Sequence, residues 1–149
     1  MLADAKSDAD PTEAVVQLCL CDSAKLSVGL AAVALPFARS HSEEAERWFR
    51  ILRVNGVVGR AMQAIGLPEH PLIDESPDGA REPRRPESVE RVFSEAQGRA
   101  RERLAPVITT EDLLFGVRTT YGAAFEHALS IRGTTSEELL DRIERCRDK

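Results

Sequence analysis

Few residues in this chain are of a type that does chemistry near neutral pH, and their spacing decides whether they can. The three histidines, His41, His70 and His127, lie in unrelated segments with no His-x-x-x-His or similar ligand spacing. Neither a metal site nor an acid–base pair is read from them. Cys19-x-Cys21 is the one close pair of thiols. On a helix, residues i and i+2 point about 200° apart, so the two cannot ligate one ion. With Cys146 they read as small buried hydrophobes. An odd number of cysteines without framework spacing fits a reducing cytosol. Gly56-Val57-Val58-Gly59-Arg60 has neither the lysine nor the backbone nest of a phosphate loop. No Ser-His-Asp or Cys-His arrangement follows from order or spacing. What remains is a carboxylate at a helix start, Thr110-Glu111, where Thr109 or Thr110 caps and Glu111 complements the helix dipole. Trp48, Phe49 and Tyr121 read as core aromatics that also suit an interface. The expectation is a protein with no catalytic residue, cofactor or metal.

The elements that position these residues are helical. Asp10-Pro11-Thr12-Glu13 is a helix start, with Asp10 as N-cap and Pro11 at the first helical position. Val15, Cys19, Leu26, Leu30, Val33 and Phe37 keep a helical stripe interrupted near Asp22-Ser23. Residues 11–36 are therefore one long helix or two short ones, ended or kinked by Pro36. The apolar run Val28–Ala38 is too short to span a bilayer and is expected in the core. Ser42 is a cap for a helix from Glu43 to about Val54, Asn55-Gly56 is a turn, and a short helix follows from Val57 to Ile65 with Gly66 as its stop. Residues 68–87 hold five prolines in twenty positions and read as a linker.

The second part repeats the plan. Val89, Val92, Phe93, Ala96, Ala100 and Leu104 line one face of a helix over Ser88–Leu104. Thr109 opens a helix carrying Leu113, Leu114 and Val117. Gly122 starts a short one with Ala124, Phe125, Ala128 and Leu129 inward. Thr135 and Glu138 form a capping box for a last helix with Leu139, Leu140, Ile143 and Cys146 inside. Sliding the sequence by 67 positions lays Glu111 on Glu44, Phe115 on Trp48, Ala128 on Ala61 and Gly133 on Gly66. Self-similarity at a fixed offset points to a duplicated unit. No alternating β pattern occurs. The expected fold is all-α: a single domain over 1–149, with a first repeat at about 11–67, a linker at 68–87 and a second repeat at about 88–147.

The net charge of -5 on 149 residues argues against a general nucleic-acid binder. A helix-turn-helix regulator over Thr109–Arg132 is the competing reading. Its second helix, Ala123–Arg132, has Arg132 offset by Glu126, which disfavours it. The acidic N-terminus lacks the basic start of a signal peptide, so the expectation is a soluble, cytoplasmic protein.

The second repeat resembles the Clp N-terminal domain, the substrate- and adaptor-binding module of Clp-type unfoldases. The likeness rests on Pro86-x-Ser88-Val89-x-Arg91-Val92-Phe93, on Ile108-Thr109-Thr110-Glu111-Asp112-Leu113-Leu114-Phe115-Gly116-Val117, and on Gly122-Ala123-Ala124. In the first repeat Gly56–Leu67 is the part close to the family. The resemblance implies two four-helix repeats on a pseudo-twofold axis that bind proteins and do no chemistry. In some members the matching acidic residue recognises the guanidinium of phosphoarginine, while the threonine and backbone amides meet the phosphate. Carried over, those residues are Thr110 and Glu111, with Glu44 as the equivalent carboxylate and Glu43 in place of the first threonine. Asp112 stands where histidine is common, prolines occupy the place of the first repeat's fourth helix, and no G-x-x-x-x-G-K-[ST] segment of an ATPase module is present. The implied role is a stand-alone adaptor, regulator or decoy whose partners are a Clp unfoldase, an adaptor or a substrate, phosphoarginine-bearing ones among them, with neither nucleic acid nor membrane involved.

Overall fold

Cys19–Leu20 form a short strand, β1, that pairs in parallel with β2, Val107–Ile108, and Cys21 N–H extends the pairing by donating to Ile108 O at 3.0 Å. The computed structural model describes residues 19–69 and 87–147. The Asp10 helix start, most of the proline-rich segment and the stripe residue Val15 lie outside them. Seven α-helices make up nearly all the rest: α1 (Asp22–Ala34), α2 (His41–Arg53), α3 (Gly56–Ile65), α4 (Ser88–Glu102), α5 (Thr110–Tyr121), α6 (Ala123–Ser130) and α7 (Ser136–Arg147). The fold is all-α in class, as its periodicity requires. Among the described residues no helix is long and apolar enough to cross a membrane.

The start of α1 corrects two expectations. The break at Asp22-Ser23 is the beginning of a helix, and Cys19, Leu20 and Cys21 before it are extended. Cys19 therefore sits on a strand and Cys21 at the extended N-cap of α1, neither inside a helix, with Cys19 exposed and Cys21 half-buried. The apolar stripe is also turned the other way. Ala24, Ser27 and Ala31 face the core, whereas Leu26, Leu30, Val33 and Phe37 face solvent. Small residues let α1 lie close against α2 and α5, and Asn55 Nδ2 donates to Ser27 Oγ at 3.2 Å. A 3₁₀ turn over Leu35–Phe37, with Pro36 inside it, ends the helix.

Helix α2 begins two residues earlier than the sequence suggests. Ser40, not Ser42, is extended and accepts from Glu43 N–H at 3.1 Å, while Glu43 Oε1 accepts from Arg39 N–H at 2.7 Å. Helix α5 is capped in the same way by Thr109, whose partner Asp112 accepts the Thr109 N–H at 2.9 Å. The caps Ser40 and Thr109 stand 69 positions apart, and so do the buried pairs His41/Thr110, Glu44/Leu113, Ala45/Leu114, Trp48/Val117 and Leu52/Tyr121. Helices α3 and α6 instead match at 67: Val58/Phe125, Ala61/Ala128 and Met62/Leu129 are buried, and Gly66 and Gly133 are both left-handed stops. The three residues Arg53, Val54 and Asn55 against the single Gly122 take up the difference of two. Glu111 consequently corresponds in helical position to Ser42, and the pairing of Glu111 with Glu44 and of Phe115 with Trp48 is lost.

Helix α4 packs on α5 along Val92, Ala96 and Ala100, with Val89 and Phe93 half-buried. Leu104 leaves that face; it lies past the helix end at φ 58 and is exposed. Gly116 makes the α4–α5 contact possible, because a Cβ there would collide with the Val92 carbonyl. Helix α2 also packs on α6, and α3 on both α5 and α7, around a core centred on Trp48, Phe49, Met62, Leu113 and Phe125. Thr135 Oγ1 caps α7 by accepting from Glu138 N–H at 3.2 Å, but the Glu138 carboxylate takes the Thr134 hydroxyl at 2.7 Å instead of closing the expected box. Its inner face is Leu139 and Ile143, with Leu140 partly open.

Candidate functional site

The first turn of α5 opens onto a cavity of about 260 Å³ between α4, α5 and α7. Leu114 and Ile143 form its floor, and Phe115 and Leu140 its mouth, each more than a third exposed. Three arginines and two glutamates surround them. Arg99 reaches in from α4, its guanidinium 5.7 Å from the Phe115 ring centre and Nη1 donating to Asp112 Oδ1 at 2.8 Å. Arg118 stands one helical turn on from Leu114, with Nη2 donating to Ser136 Oγ at 3.5 Å and Nε 3.7 Å from Glu126. Arg147, at the end of α7, faces Glu111 across the cavity with Nε 3.1 Å from Oε2, and donates from Nη2 to Glu144 at 2.9 Å.

Glu111 is thus a largely buried carboxylate already facing one guanidinium. Oε2 is buried and accepts no hydrogen bond, so its contact with Arg147 is charge against charge rather than an aligned bond. Arg147 is half exposed and free to swing away at small cost. The lining offers an apolar slot with a carboxylate at one end and guanidinium donors at the other. Its polar groups are the carboxylates of Glu111 and Glu144 and the guanidiniums of Arg99, Arg118 and Arg147. Among the described residues no group of three metal-ligating side chains converges.

The three site residues read from the sequence are separated. Glu111 lies in the cavity. Thr110, one position before it, is buried on the opposite side of the turn and packs against Gly56, where a Cβ would come within 2.5 Å of Thr110 Oγ1. Thr109 caps the helix, which leaves Thr110 to join α5 to the α2–α3 turn. Glu44 is fully buried in the core, where Oε1 accepts from the Tyr121 hydroxyl at 2.8 Å and the His41 ring lies 4.7 Å from the Tyr121 ring. Burial, then the bond to Glu44 and its charge, push the Tyr121 hydroxyl well above its ordinary value, and Trp48 and Ser88 pull weakly the other way.

Arg99, Phe115, Leu140 and Arg147 did not stand out in the sequence as site residues. A signal was available: Glu111 and Phe115 share one face of α5, and Leu140, Glu144 and Arg147 follow at helical spacing on α7. Asp112, noted there only as a substitution for histidine, is fully buried and held by both Arg99 and Arg103. No protein-family model and no curated protein matches the chain.

Proposed function

We propose that this protein is a non-catalytic protein-binding module of Clp N-domain type, built from two related helical halves about a pseudo-twofold axis. It acts as a cytoplasmic adaptor, regulator or decoy for a Clp-type unfoldase or its substrates. The observation that carries this reading is reciprocal packing. Helix α2 of the first half lies on α6 of the second, and α5 of the second lies on α3 of the first. A twofold relation between helix pairs requires that exchange. The matched caps of α2 and α5 and the left-handed glycine stops of α3 and α6 support it.

Binding falls to the cavity at Glu111. Its carboxylate takes a guanidinium from the partner in place of Arg147, and Arg118 and Arg99 present donors to an attached phosphate. Phe115 and Leu140 pack the neighbouring peptide. A substrate carrying phosphoarginine satisfies all three features. Glu44 has no part in this, being sealed behind Tyr121. Calorimetry with phosphoarginine tests the reading. Glu111→Ala should weaken binding at least tenfold, about 1.4 kcal/mol, and equal affinity in the variant removes Glu111 from the site. A pull-down that recovers no Clp component and no Clp substrate ends the assignment.

A further inference from the structure

A helical Cys19-x-Cys21 cannot hold one ion, but the pair is extended, and that changes what its thiols can reach. Cys19 lies in β1 opposite Val107, and Cys21 continues the same path, its N–H donating to Ile108 O at 3.0 Å. On an extended chain, side chains two positions apart share a face. Both thiols therefore project from one side of β1, with Leu20 on the other. Both cysteines are free, Cys19 exposed and Cys21 half-buried. Cys21 is the N-cap of α1, yet its side chain makes no capping bond.

Distance decides what such a pair can join. Two residues of strand advance about 6.6 Å, and Cβ atoms on one face stand about that far apart. A disulfide needs Cβ atoms within about 4.5 Å, around a sulfur–sulfur bond of about 2 Å. The strand exceeds that limit by about 2 Å, and closing the gap would pull Cys21 away from Ile108. A cation bonded to two thiolates at about 2.3 Å each spreads the sulfurs to about 4.6 Å. The added span of about 2.6 Å covers the gap. The strand fits a thiolate–cation–thiolate bridge and disfavours a disulfide.

We infer that Cys19 and Cys21 form a two-coordinate site for a soft monovalent cation, cuprous copper. Thiolate ligands select soft ions, Cu(I) among them. Zinc in a closed site takes four protein ligands, and among the described residues no third metal-ligating side chain converges with this pair. Binding turns two thiols into thiolates and releases two protons to solvent, with no change in the oxidation state of copper or sulfur. Affinity therefore rises with pH.

Anaerobic titration of the reduced full chain with Cu(I), against a competing Cu(I) chelator, tests this. The expected result is one copper per chain, with two sulfur neighbours in X-ray absorption. Changes outside the ligand shell cost about 10–100-fold in metal affinity, so Cys19→Ser, which removes a ligand, should weaken binding by at least about a hundredfold. Cys19 is exposed, and circular dichroism should show the fold of that variant unchanged. Cys21→Ser should weaken binding equally, and Cys146→Ser should leave it as it was. Affinity unchanged by Cys19→Ser overturns the inference. So does a copper that needs Cys146, or one copper shared between two chains.

Discussion

At the scale of single residues, burial separates the carboxylates. Asp112 is enclosed on α5, where it closes the capping box with Thr109 and neutralises Arg99 and Arg103 from α4. Removing it leaves two guanidinium groups, each about a third exposed, without their anion and Thr109 N–H without its acceptor, while Thr109 still caps α5. Asp112→Ala should therefore cost about 3 kcal/mol in urea unfolding, the lower end for a broken buried pair. An unchanged midpoint would show that the network carries no net stability. Glu111 lies one position earlier on the same turn and is turned toward the cavity. One residue's rotation about the helix separates a carboxylate locked in an ion-pair network from one that lines the cavity.

At the scale of elements, helix faces are set by how closely neighbours approach. Gly116 lets the α4 backbone at Val92 touch α5. Gly116→Ala should force the two apart and destabilise the protein by about 1–3 kcal/mol, read as a fall in thermal midpoint with the helical content retained. Equal stability would mean that the helices shift without cost. The same principle places α1. Its small residues Ala24, Ser27 and Ala31 go inside because α2 and α5 leave room for nothing larger, and its leucines are left outside. A count of apolar positions favours the opposite orientation. The caps were partly legible: Thr109 was identified among the candidates, but Ser40 was displaced by the nearby Ser42, which offers the same chemistry two residues on.

At the scale of the molecule, two polar clusters add to the strand pairing and helix packing that join the residues before Pro68 to those after Pro86. Tyr121 on α5 donates to Glu44 on α2 across the core. Arg132, past the end of α6, lies 4.1 Å over the Phe49 ring and donates to both oxygens of Glu46, at 2.7 and 3.1 Å, and to the carbonyls of Pro68 and Glu69. The first contact makes stability depend on pH. The native Tyr121 hydroxyl holds its proton above the ordinary value of about 10, so the native chain binds that proton more tightly than the unfolded one. This contribution is complete below pH of about 10 and is lost as pH rises toward the native value. Urea midpoints should fall above that pH, and Tyr121→Phe should flatten the fall. The chain has one tyrosine, so tyrosinate absorbance should appear only as the protein unfolds. Its appearance in the native state would place Tyr121 in contact with water.

Helical class, turn positions, the glycine stops and the inward faces of α5 and α6 follow from the sequence alone, because period, caps and left-handed glycines are local properties. The registration of α2 on α5 does not, since a difference of two residues, one in the helix end and one in the turn, rotates every preceding position by about 200° and carries Glu44 from the expected pocket into the core. Nor do the cavity and the exposure of Leu26, Leu30 and Val33 on α1. Both depend on which faces meet across distances of many residues, and tertiary packing alone decides that.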